Sequence, residues 1–272
     1  MVCTTINFEY QDFEKVERKS LKPKQMQDDY EEDGDFDQIN ANFCFNVPEP
    51  TDASGISQFV PKYLNCERIE LGVIVANVKR VGTVIKVEAE NPEDVSLFGF
   101  ITVINLAYYQ NRACIANFIQ WLLSLNDATL SNLLTTQLDK VGFFLNERAY
   151  GVPPEIAPHL NRGIFEEVQW ATEDLPTPEE RNAYNLTHFL LVKKGVKGDE
   201  GIEFPLIEDD FYFKNADLVV EFQTDGEEGD LDELEYHRYV LVLSAQSIQN
   251  ARNQLNEMFG IDESQYADEG NQ

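Results

Sequence analysis

The apolar positions of this chain fall in short blocks whose spacing alternates between the strand period of two and the helical period of about three and a half. Little periodicity precedes residue 43, where Phe43-Cys44-Phe45-Asn46-Val47 predicts a first strand. From Asp52, read as a cap, Ile56, Phe59, Val60, Tyr63 and Leu64 recur at helical spacing, and Pro61 is placed to kink that helix. Ile69, Val73, Ile74 and Asn77 predict a second helix. Strands over 81–87 and 97–106 are expected to pair across a Glu88–Asp94 turn that contains Asn91-Pro92. Helices follow near 111–125 and 127–138, and then Val141-Gly142-Phe143-Phe144-Leu145, apolar enough for a strand buried on both faces. Pro153-Pro154 opens a helix to about Trp170. Strands at 186–194, 211–222 and 238–243 and a helix at 246–259 complete the pattern. The expected fold class is α+β (mixed α/β), a single central mixed sheet flanked by helices.

Charge changes this picture more than composition does. Residues 25–54 carry nine acids and no Lys or Arg, 199–236 carry fifteen acids against Lys214 alone, and 257–272 carry five acids and no base. The remaining residues balance, so the formal net charge of −28 belongs to these stretches. The expected organisation is a disordered acidic arm over 1–42, one globular domain over 43–259 with an acidic insertion near 199–236, and a disordered acidic tail over 260–272. Carboxylates in such numbers repel one another, and a protein that keeps them is expected to offer them to a strongly basic partner. Bare nucleic acid and anionic membranes would be repelled and are not expected as direct partners. No apolar run approaches the length of a spanning helix, and Met1 to Tyr10 lacks a signal pattern, so an intracellular monomer is expected.

Candidate chemistry is sparse. Cys3, Cys44, Cys66 and Cys114 show no CxxC spacing and lie far in sequence from His159, His188 and His237, which reads as reduced thiols and neither a disulfide frame nor a zinc site. Cys114 sits near a helix start but on the apolar stripe with Phe118 and Trp121, a core position. Lys15, Arg18, Lys19, Lys22 and Lys24 form a loose basic cluster, read as a solvated stretch in preference to a nuclear address. The glycines of Lys193-Lys194-Gly195-Val196-Lys197-Gly198 lead into acid and read as a hairpin or loop, not a phosphate cradle. Glu147-Arg148, just past the buried strand, reads first as a structural ion pair and second as a partner contact. No catalytic residues, metal ligands or cofactor site stand out.

Several strings resemble the BCCIP family of eukaryotic nuclear proteins. They are Leu97 to Leu106, Val141 to Arg148 followed by Val152-Pro153-Pro154-Glu155-Ile156-Ala157, and weaker echoes at Gly82 to Lys86, Glu208-Asp209-Asp210-Phe211-Tyr212-Phe213 and Arg238 to Leu243. The resemblance implies a domain distantly similar to the GNAT acetyltransferase fold but without acetyl transfer. It also implies a nuclear chaperone for a small basic protein of the large ribosomal subunit, with a part in nuclear export and shuttling to the cytoplasm. Animal relatives are named for binding a breast-cancer susceptibility protein and a cyclin-kinase inhibitor.

The residues agree with a non-enzymatic reading. A GNAT enzyme needs a glycine-containing loop for the coenzyme pyrophosphate, and Ala107 to Cys114 has none. The expected function is an acidic nuclear chaperone or adaptor, with a ribosomal protein as basic client and nuclear transport factors as further partners. The expected contacts are Asp225, Glu227, Glu228, Asp230, Asp232, Glu233, Glu147 and Arg148. The alternatives are an acyltransferase with an altered cofactor loop and a general histone or basic-protein chaperone.

Overall fold

The computed structural model describes residues 43–87, 96–198, 201–223 and 235–262. The expected arm over 1–42 with its basic cluster, the Glu88–Asp94 turn, the acids from Asp225 to Glu233 and the tail beyond 262 lie outside the described residues.

The strands are β1 (Phe43–Asn46), β2 (Thr83–Val87), β3 (Leu97–Asn105), β4 (Val141–Arg148), β5 (His188–Gly198), β6 (Gly201–Glu203), β7 (Leu218–Phe222) and β8 (Tyr236–Ser244). They form one sheet in the order β1-β2-β3-β4-β5-β8-β7, with β6 pairing β5 off that path. Every pairing is antiparallel except β4 with β5, so the expected mixed sheet is present. The helices are α1 (Ala53–Phe59), α2 (Arg68–Ala76), α3 (Ala113–Ser124), α4 (Ala128–Thr136), α5 (Ala157–Asp174), α6 (Pro178–Asn182), α7 (Ile207–Asn215) and α8 (Ala245–Met258).

The centre of the sheet shows why the helices flank it on both sides. Phe143 and Phe144 are both buried and, as neighbours on a strand, point to opposite faces. Phe143 stacks on Phe118 of α3 at 4.4 Å, whereas Phe144 meets Phe165 of α5 at 5.4 Å and Tyr212 of α7 at 5.5 Å. Each ring removed from water contributes about 1.5–3 kcal/mol, and β4 carries one on each face. Cys114 is fully buried in this core, as its place on the apolar stripe required.

Local chemistry moved several boundaries. The helix expected through Leu64 stops at Phe59, because Pro61 forces Val60 into an extended conformation. Asp52 makes no cap hydrogen bond to that helix; it pairs with Lys86 at 2.7 Å. The Lys193 to Gly198 segment is strand, and Gly198 pairs with Gly201 to turn β5 back into β6. The largest correction concerns 211–222. Residues 207–215 are helical and only Leu218–Phe222 is strand, because a helix puts Glu208, Asp209 and Tyr212 together on one buried face. Burial of that face outweighed the strand propensity of Phe211-Tyr212-Phe213.

Candidate functional site at the acidic end of the sheet

Register decides where the acid-rich stretches leave the body. Phe43 pairs with Val87, Leu97 with Lys86, Gly99 with Arg148, Val196 with Tyr236 and Phe222 with Arg238, so these strand ends share one end of the sheet. The chain enters or leaves the described residues there at four points: before Phe43, between Val87 and Ser96, between Gly198 and Gly201, and between Gln223 and Glu235. The sequence carries seven acids over 25–42, four over 88–95, two at 199–200 and six over 224–234, with no Lys or Arg in any of them. One end of the sheet therefore anchors a convergent set of acidic segments.

Beneath that end lies a buried ionic cluster. The parallel pairing of β4 with β5 covers only Val141–Phe143 against His188–Leu190. Beyond it Asn146, Glu147, Arg148 and Lys193 meet the first turn of α7. Acids suit that turn, because the exposed N–H groups of a helix start carry partial positive charge. Glu208 accepts Asn146 Nδ2 at 2.7 Å and Arg148 Nη2 at 2.8 Å, and Arg148 Nη1 closes a two-pronged pair on the same carboxylate. Lys193 Nζ donates to the Asn146 carbonyl at 2.8 Å and lies 3.3 Å from Glu147 and 3.2 Å from Asp209. Lys193 thus ties β5 to β4 where the ladder has ended. Gly99 stands opposite Arg148, and any Cβ there would overlap that of Arg148. One turn further along α7, the Tyr212 hydroxyl donates to Asn161 Oδ1 of α5.

Burial divides the cluster's charges. It pushes Asp209 up to about 8 despite Lys193, and the neighbouring Glu208 and Glu147 push the same way. Burial also raises Glu147, against the pull of Lys193. Burial works upward on Glu208 too, but the Arg148 fork and Asn146 hold it below the usual carboxylate range. Arg148 and Lys193 stay above their ordinary values, because Glu208 for one and Asp209 with Glu147 for the other outweigh the cost of burying a cation. Burial thus favours the neutral form of Asp209, which brings the cluster toward two cations facing two carboxylates and no large net charge.

The structure places the expected site residues unequally. Arg148 is a buried partner of Glu208, and Glu147 is half-buried beside Lys193. Asp225, Glu227, Glu228, Asp230, Asp232 and Glu233 lie outside the described residues, between strand ends Phe222 and Tyr236 that flank the cluster's end of the sheet. Sequence reading did not single out Asn146, Lys193, Glu208 or Asp209. The available signal was a lysine continuing the all-buried run Phe189 to Val192. Among the described residues no group of His, Cys, Asp or Glu side chains is placed to hold a metal, and no helix is long and apolar enough to cross a membrane.

A mixed sheet with one short parallel pair, flanked by helices on both faces, defines the architectural class. Within it, the sequence profile of the BCCIP family matches residues 38–204, and the chain belongs to that family. The protein BCCIP homolog of Arabidopsis thaliana is 30% identical over 71% of this chain and 61% of its own length. Protein bcp1 of Aspergillus oryzae is 27% identical over 60% of this chain and 57% of its own. The chain thus spans about six-tenths of the length of these curated relatives. The crystal structure of BCP1 from Saccharomyces cerevisiae matches with a TM-score of 0.59 over 86% of this chain and 96% of that one; at 17% identity this speaks for the fold. Val141 to Arg148, a string that carried the resemblance, and Glu208 to Phe213, one of its weaker echoes, meet in space as the ionic cluster.

Proposed function

We propose that this protein is a non-enzymatic chaperone or adaptor that holds a basic client, a protein of the large ribosomal subunit, at the acidic end of its sheet during nuclear assembly and export. The observation that carries this reading is the register, which puts at one end of the sheet the points where four base-free stretches carrying nineteen acids join the described strands. A ribosomal protein presents Lys and Arg meant for phosphates; a carboxylate field occupies them until rRNA, a denser polyanion, displaces it. The ionic cluster ties β4, β5 and α7 together at that end of the sheet. The start of α3 supports the absence of acyl transfer. Its Cys114 N–H already donates to Glu70 Oε2 at 2.8 Å, and Glu70 is held below the usual carboxylate range by Arg112 and that N–H. An anion at that helix start would have to displace a carboxylate of the chain itself.

The test is calorimetry of the purified chain against basic large-subunit ribosomal proteins, histones and acetyl-coenzyme A. Selective binding of one ribosomal protein that weakens with salt is expected. Equal binding of histones would favour a general basic-protein chaperone, and micromolar coenzyme binding would revive the acyltransferase.

A further inference from the structure

The opposite end of the sheet, where β3 ends and β4 and β5 begin, carries a trench of different character. Two depressions of about 430 Å³ each share Asn77, Lys79 and Leu175 and so run into one another. Among their lining residues are three bases, Lys79, Arg80 and Arg112, against one acid, Glu180, in a chain where acids outnumber bases more than twofold. Three of the eight large hydrophobics exposed among the described residues, Val47, Val73 and Tyr108, lie along the trench.

Its hydrogen-bonding capacity is lopsided. The floor residue Asn105 is spent, donating to Asp139 and Ala183 carbonyls at 2.8 and 2.9 Å and accepting Tyr108 N–H at 2.9 Å. Glu180 is engaged by Lys79 and Thr177. By contrast, no hydrogen bond to a described residue engages the hydroxyls of Tyr108, Tyr109 and Tyr184, the terminal nitrogens of Arg112 or the Arg80 guanidinium, and Arg112 meets Glu70 through Nε. Tyr184 is only 8% exposed, yet its hydroxyl is not a buried unpaired group, so what remains of its exposure leaves that hydroxyl open to the trench it lines. The trench sets the cationic donors of Arg112, Lys79 and Arg80 beside apolar walls.

We infer that this trench is a docking site for an extended acidic segment of a partner protein, whose carboxylates pair with Arg112, Lys79 and Arg80 and whose apolar side chain enters beside Val73 and Leu175. Unspent donors select an acceptor-rich ligand, and aliphatic walls select one with an apolar side chain, which a sugar-phosphate strand lacks. The elongated shape suits an extended chain better than a compact metabolite. Because the acidic stretches leave from the other end, an acidic partner here and a basic client there would not compete. This inference does not depend on the chaperone reading.

Fluorescence anisotropy on the full chain tests it. The probe is a short fluorescein-labelled peptide of Glu and Asp around one Leu, with controls carrying Lys for the acids, Ser for the Leu, or an oligouridylate in place of peptide. Saturable binding of the acidic Leu peptide at about micromolar strength is expected, despite the chain's overall negative charge. Arg112→Gln should weaken it about tenfold or more, and Tyr184→Phe, which removes only the hydroxyl, by about threefold to tenfold. Thermal unfolding of Tyr184→Phe should match the parent, which keeps the test independent of folding. Equal binding of the Lys peptide or the oligouridylate, indifference to both substitutions, or no saturable binding would overturn the inference. So would a gain in affinity on neutralising the acids from Asp28 to Asp37 that neutralising those from Asp225 to Glu233 does not give, since the chain's own arm would then be the occupant.

Discussion

The two ends of the sheet use charge in opposite ways. At the acidic end, Arg148 and Lys193 are buried, both terminal nitrogens of Arg148 meet Glu208, and Lys193 meets Asp209, Glu147 and the Asn146 carbonyl. At the other end, Lys79 and Arg112 are exposed, each meets one carboxylate, and much of their donor capacity is unused. A buried, paired cluster fixes one geometry, because losing any charge partner leaves a charge in a poor dielectric. An unsatisfied, open surface specifies little by itself and is available for a ligand.

The sharpest way to break the comparison is to remove one partner from the cluster. Arg148→Met leaves Glu208 without its fork, and stability should fall by about 3–5 kcal/mol. In thermal unfolding this reads as a loss of about 6–20 °C for a domain of this size. The double change Arg148→Met with Glu208→Leu should unfold at a higher temperature than the single Arg148 variant, since it removes both charges together. If the double variant is the worse of the two, the cluster is not held by charge pairing.

The next effect is a pH dependence with a definite sign. Asp209 is raised to about 8 in the folded chain from an ordinary value near 3.8. Between those values the unfolded chain has released the proton and the folded chain has kept it, so stability falls as pH rises through that window. Asp209→Asn mimics the protonated form and should escape the loss. Its melting temperature relative to the parent should climb by several degrees from pH 5 to pH 8.5. A constant difference would mean that Asp209 is ionised throughout.

At the acidic surface the effects fall on kinetics. Changing Asp225, Glu227, Glu228, Asp230, Asp232 and Glu233 to Asn or Gln should slow association of a basic client more than it speeds dissociation, and cost a few kcal/mol of affinity at most. Stopped-flow mixing at low salt and at about 0.5 M, where screening reaches about 4–5 Å, separates the two rates. Salt-independent binding would place recognition in the folded body alone.

The smallest expected effect is on the far side. Lys79 and Glu180 form an exposed pair 3.1 Å apart, and Lys79→Ala should change stability by less than about 1 kcal/mol in chemical denaturation. A loss as large as that of Arg148→Met would erase the contrast between the two ends.

Much of the architecture was legible because it rests on local rules. The all-apolar run Val141 to Leu145 announced a strand buried on both faces, and Phe143 and Phe144 show it. The period-2 and helical blocks located most of the other elements to within a few residues. The short α6 was missed, although Thr177-Pro178-Glu179-Glu180 spells the reciprocal cap that starts it. The strand read over 211–215 failed for a different reason. Its aromatic run has strand propensity, and burial of Glu208, Asp209 and Tyr212 on one face, with Glu208 paired to Arg148 sixty residues away in sequence, makes a helix the better choice.

Composition and spacing alone settle that this chain is a mixed α/β domain with base-free acidic stretches, since hydrophobic period and charge count are properties of neighbours along the chain. Glu147-Arg148 and Glu208-Asp209 were visible as strings, but their joining into one buried cluster was not. Register alone decides that four acidic stretches leave from one end of the sheet while Lys79, Arg80 and Arg112 collect at the other. Pairing partners are chosen by the summed packing and hydrogen bonding of whole strands, so that separation of charge exists only once the sheet has formed.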